Sequence, residues 1–144
     1  MLKLIRARRK NGEKGQALVE FALLVPIFLL LLFAIIDFGM GFYSWITVTN
    51  AAREGARLGV VMATSQQIED RVYQTADLPN ESTQMTVTVT NAADQGGQPG
   101  DSVTVRVDYD YDLITPLAGL VEFATGNTFG RTLNLSSTAE MRLE

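Results

Sequence analysis

One stretch limits the folds open to this chain more than any other. From Ala17 to Val48 it runs almost wholly apolar, with Glu20 and Asp37 the two charged residues inside it. A carboxylate near the centre of a bilayer costs at least about 3 kcal/mol, so two of them in such a run imply a use. The uncharged block Phe21–Ile36 falls a little short of the roughly 20 residues that cross about 30 Å of hydrocarbon. With Ala17–Val19 before it and Phe38–Ile46 after it, the stretch is long enough for a membrane-inserted helix. Pro26 interrupts the hydrogen-bond ladder inside it, which a membrane helix tolerates when neighbours cover the break. Phe42, Tyr43 and Trp45 fit an interfacial aromatic belt.

Charge is unevenly placed around this helix. Residues 1–15 hold Lys3, Arg6, Arg8, Arg9, Lys10 and Lys14 against the single acid Glu13, whereas the chain as a whole carries a net charge of -4. The positive end is expected to stay in the cytoplasm, with the acidic remainder carried across. A secretory signal would end in a small-residue cleavage site after its apolar region. Here the apolar run continues as DFGMGFYSW, so the helix is expected to be retained. A cut before it, between Gly15 and Gln16, would remove the basic leader and leave an amine four residues ahead of Glu20. That carboxylate could then neutralise the terminus of a packed neighbour, turning two charges unfavourable in lipid into a pair. Otherwise Glu20 is an interfacial acid near a helix start, where the helix dipole favours negative charge.

Beyond the belt the residues turn polar and remain compatible with helix, through ITVTNAAREGARLGVVMA. Ala52 and Ala56, and Gly55 and Gly59, repeat small side chains four apart, a spacing that admits close backbone approach. Glu54 and Arg57 can pair on the helix surface, and Arg53 shares a face with Arg57. Both arginines are expected in ordinary solvated or intramolecular pairs, or in contact with another subunit or the acidic head. Asp37 sits about 260° around the helix from Glu20, so the two acids face different ways. It is either an acid at the outer interface or a partner for an assembly neighbour's Arg or Lys. A helix from Gln16 to Met62 would extend about 70 Å, more than twice the hydrocarbon thickness.

The rest of the chain is expected to form a small head. Thr64-Ser-Gln-Gln67 reads as a capping box opening a short helix over 65–76, with Ile68, Val72 and Ala76 on one face. Period-2 alternation follows in three runs: Met85, Val87, Val89; then Val103, Val105, Val107, Tyr109, Tyr111, Leu113; then Leu133, Leu135, Ala139, Met141, Leu143. This predicts an antiparallel sheet of three strands, wet on one face and packed on helix with the other. A short helix is expected over 116–123. The fold class is therefore α+β. The chain has no cysteine or histidine, so disulfides, zinc sites and imidazole catalysis lie outside its chemistry. Asp108, Asp110 and Asp112 line one strand face, about 7 Å apart, and make a poor metal cage. Neither metal, cofactor, nucleic-acid partner nor enzymatic activity is expected.

Gly15 followed by Gln-Ala-Leu-Val-Glu20-Phe resembles the prepilin-peptidase recognition site of type IV pilin-like proteins. The continuation through DFG to Asn50-Ala-Ala-Arg-Glu-Gly-Ala-Arg57 resembles the TadE-like module of tight-adherence pilus systems. The resemblance implies a single-pass minor pilin or pseudopilin of the bacterial cytoplasmic membrane, cleaved after Gly15 by a prepilin peptidase. Gln16 would be the new N-terminus, where the family often has an aromatic or apolar residue, and Glu20 the assembly glutamate. Its partners would be membrane lipid, other pilins and the inner-membrane assembly platform. Expected boundaries are a leader at 1–15, a helix at 16–63 with 17–46 in the membrane, and a head at 64–144. Two alternatives stand beside this: a filament-forming subunit whose head coats the shaft, and an unprocessed membrane-tethered binding module.

Overall fold

Leu, Ile, Phe and Ala residues without a helix-breaking cluster propagate one uninterrupted helix, α1 (Ala7–Gly59), which passes through Pro26. The computed structural model describes the backbone of residues 7–14 and the whole of residues 15–126 and 130–144. Residues 1–6 of the basic leader lie outside the described residues. α1 starts upstream of the expected Gln16, since Ala, Arg, Lys and Glu are good helix formers. It ends at Gly59, before the expected Met62, because the last bonds tighten: the Val61 N–H donates to Leu58 O and the Met62 N–H to Gly59 O. Met62 then turns the chain with φ of 60°.

The next helix, α2 (Ser65–Thr75), begins with the anticipated capping box. The Gln67 N–H donates to the Thr64 hydroxyl, and the Thr64 N–H donates back to Gln67 Oε1 at 3.0 Å. Two orphan donors of the first turn are thereby satisfied. A short helical turn, α3 (Glu81–Gln84), leads into β1 (Met85–Thr90). There follow β2 (Ser102–Asp112), α4 (Leu117–Thr125) and β3 (Thr132–Arg142). The strands form one antiparallel sheet in the order β1-β2-β3, with Val87 opposite Val107 and Val105 opposite Ala139. This is the α+β architecture that the alternation predicts.

The chain divides into two compact units, Met1–Ile36 with Thr115–Phe129, and Asp37–Ile114 with Gly130–Glu144. In the second, the central strand supplies Val103, Val105, Val107, Tyr109 and Tyr111 to a core shared with Ile68 and Val72 of α2 and Val48, Ala51, Ala52 and Ala56 of α1. Full burial of a valine is worth about 1.5–3 kcal/mol, so this apolar seam is the main support of the unit. The matching positions of β3 are half-exposed, and Leu133 is exposed, as suits an edge strand. The end of the chain is tied back to the helix: the Glu144 N–H donates to Val60 O at 3.1 Å. In the first unit, α4 accompanies the apolar part of α1, and its own Leu117 and Ala118 are buried.

Candidate functional site

The start of the apolar stretch is exposed on every side. Leu18, Phe21, Leu23, Leu24, Ile27 and Phe28 all stand free of the rest of the chain. A helix apolar all round is stable in lipid or inside a bundle, not in water. The Gly15–Gly59 portion of α1 is long and apolar enough to cross a membrane, and its most apolar window has no buried share. Such a helix fits a membrane-anchored chain. Gly15 has open space around its Cα. Gln16 and Glu20 are exposed one turn apart, and the Gln16 side-chain amide donates to Glu20 Oε1 at 3.0 Å. Residue 16 and Glu20, four apart, lie on one helix face.

Asp37 has a different setting. It is 2 % exposed, and the Ile114 N–H donates to its Oδ1 at 2.9 Å. A backbone donor just past the end of β2 therefore satisfies a carboxylate of α1, and that bond ties the two elements together. The ring of Tyr111 lies beside Gly41, one turn further along, where a Cβ would meet Cε1 at 3.8 Å. Burial raises the Tyr111 phenol above its usual value, and the charges of Asp37 and then Tyr109 add to the effect. Burial raises Tyr109 likewise, with Asp112 contributing, and its hydroxyl donates to Pro79 O at 2.9 Å.

After Asp37, and two turns on at Ser44, the buried positions recur every three or four residues: Val48, Ala51, Ala52, Gly55, Ala56 and Gly59. This is the spacing of a helix stripe laid on a surface. The surface is the chain's own sheet and α2. A Cβ at Gly55 would stand 2.5 Å from Val72 Cγ2, and one at Gly59 would stand 2.8 Å from Val103 Cγ1. The close approach admitted by these small residues, with Ala52 and Ala56, is thus filled intramolecularly. Arg53 and Arg57 point to solvent. Glu54 lies between Arg57 at 3.8 Å and Arg71 at 3.6 Å, exposed pairs worth well under about 1 kcal/mol.

The aspartate row on β2 is taken up by its neighbours. Arg106 grips Asp108 at 2.8 and 2.9 Å, Asn134 donates to Asp110, and Gln84 and Thr132 donate to Asp112. The ion pair holds the Arg106 guanidinium above its usual value. Among the described residues no group of three acidic, histidine or cysteine side chains is placed to hold a metal. Three features escaped the sequence reading. Ser44 belongs to the buried stripe, legible only as the seventh residue after Asp37. The Ile114 N–H that meets Asp37 is a backbone group and leaves no residue signature. Ser65 donates through its N–H and its hydroxyl to the Asp94 carboxylate, clasping α2 to the turn after β1.

Residues 15–57 match the model of the TadE-like protein family. The match bears out the resemblance to the TadE-like family over the stretch that carries it. Neither the comparison with curated proteins nor that with solved structures returned a match.

Proposed function

We propose that this chain is a minor pilin or pseudopilin of a tight-adherence pilus, cleaved between Gly15 and Gln16 and assembled through Glu20. The observation that carries the proposal is the coincidence of the family match with the cut: it begins at Gly15 and includes Glu20. Peptidase hydrolysis would leave a carboxylate on Gly15 and an amine on Gln16. The leader, residues 1–15, holds its basic side chains in the cytoplasm until then. The mature helix, from Gln16 to Gly59, is anchored over 17–46, and the head, 64–144, lies on the outer side of the membrane.

Two properties of the structure support this reading. Glu20 and Gln16 are exposed together on a helix that buries none of its apolar surface there, so a second helix can reach both. The TadE-like family is structural rather than catalytic, which fits a component that works by packing against other pilins and the assembly platform. In lipid, an amine from one subunit meeting Glu20 of the next converts two costly charges into a satisfied pair. Intact mass of the protein purified from cells with and without prepilin peptidase tests the proposal. Loss of residues 1–15 only when the peptidase is present is the expected result. A chain that still starts at Met1 in peptidase-positive cells would instead favour the unprocessed tether.

A further inference from the structure

We infer that α4 is a second membrane contact: a short helix seated at the boundary of headgroups and acyl chains in the leaflet on the head's side. This goes beyond the pilin reading and rests on the anchoring of α1 alone. From Thr115 to Thr125 the sequence TPLAGLVEFAT carries one charge, Glu122. Leu117 and Ala118 are buried, Leu120 and Val121 are half-buried, and Phe123 is 90 % exposed. Leu120 and Phe123, three residues apart, share a face. Among the described residues that face is covered only in part at Leu120 and not at Phe123.

Lipid is the occupant because of where α4 begins and what it accompanies. A helix from Ala17 to Ile36 advances about 30 Å, the thickness of the hydrocarbon, so Asp37 stands at its outer edge. The Ile114 N–H is bonded to Asp37, which places the chain at that edge three residues before α4 starts. α4 then groups with the apolar residues up to Ile36 rather than with the sheet. The helix surface it groups with is apolar and exposed, the kind that requires lipid. An exposed aromatic on an apolar helix of about 13 Å fits an element lying about 5–10 Å into the interface. Pro116 and Gly126 bound it at either end, the latter in the left-handed conformation with φ of 70°.

The chain has no cysteine, so single labels report cleanly. Phe123→Cys and Ala124→Cys variants of the full chain, carrying an environment-sensitive fluorophore, are placed in phosphatidylcholine–phosphatidylglycerol vesicles at low protein-to-lipid ratio. Leu24→Cys serves as the span control and Thr88→Cys, exposed on β1, as the aqueous control. Both α4 labels are expected to be quenched by lipids spin-labelled high on the acyl chain roughly twofold or more above Thr88, and weakly by iodide. Labels on α4 that behave like Thr88 while Leu24 is in lipid overturn the inference and leave the anchor intact. Shielding that vanishes as protein is diluted in lipid assigns the face to a second copy of the chain and also overturns it. An aqueous Leu24 label would sink the anchor itself, and the inference with it.

Discussion

Glu20 and Asp37 stand on the same helix, and the chain treats them in opposite ways. Glu20 is exposed among exposed apolar side chains and receives a hydrogen bond from Gln16 of its own turn. Asp37 is buried and receives one from the Ile114 backbone, remote in sequence. The stretch behind Glu20 hides no face, whereas the stretch behind Asp37 hides one stripe of small residues under the sheet and α2. An acid whose charge is met by its own fold stabilises the subunit. An acid set outward in an apolar surface is left for whatever surrounds the helix. One segment is built for the environment and the other for the head, and substitutions should separate them.

The largest effect is expected at Glu20. Glu20→Gln removes the charge and keeps the shape, so surface pili should fall at least about tenfold, the scale of one charged pair lost at about 1.4 kcal/mol or more. Thermal unfolding of the purified subunit in detergent should not move. Unchanged piliation would break the comparison at its first term. The second term is tested by Gly55→Val. Its Cβ meets Val72 at 2.5 Å, and overpacking should cost about 3 kcal/mol, read as a lowered denaturant midpoint. Gly39→Ala, with open space around it, should be neutral or gain up to about 1 kcal/mol of helix propensity.

Asp37 comes next. Asp37→Ala strands the Ile114 N–H and should destabilise the subunit by about 1–3 kcal/mol in the same unfolding measurement. Asp37→Asn keeps an acceptor oxygen and should cost less. If the two substitutions are equally harmless, the bond to Ile114 does not hold the end of β2, and the contrast with Glu20 weakens to one of exposure alone.

Much of this division is legible in the sequence itself. Periodicity identified the capping box at Thr64, the alternation of Val103 to Tyr111 and the apolar anchor, because each is a local pattern with a local cause. The partner of the small residues was not. Ala52, Gly55, Ala56 and Gly59 state that something approaches closely, and their spacing is the same whether that is another subunit or the chain's own sheet. Asp37 was equally ambiguous, since its partner is a backbone N–H, which every residue but proline carries. The placement of α4 with residues up to Ile36 was invisible because a run such as LAGLVEFAT reads the same in a core and at a membrane.

The phenols beneath α1 probe the same neighbourhood more gently. Tyr111 is 4 % exposed, and its hydroxyl has no hydrogen-bond partner among the described residues. Tyr111→Phe should therefore be neutral or stabilising, by up to about 1 kcal/mol. The folded-state values of Tyr109 and Tyr111 lie above the ordinary 10.0. Their contribution is therefore complete below pH 10.0 and is lost as pH rises through the raised values. Alkaline unfolding of Tyr111→Phe should begin later than that of the parent chain, whereas Asp37→Asn should let Tyr111 ionise at a lower pH than in the parent, since it removes the second of the causes that raise it.

The smallest effect belongs to the acid side and lies far from both carboxylates of α1. Ser65 lowers Asp94 below its ordinary value of 3.8, chiefly through its hydroxyl and then through its N–H. A depressed folded value means that this contribution is present above pH 3.8 and disappears as pH falls through the lower value. Because Asp94 is at the surface, the expected signature is a shallow difference between the parent chain and Asp94→Asn, confined to the acid limb. A difference that persists unchanged below that limb would mean that the side chain acts through packing, not charge.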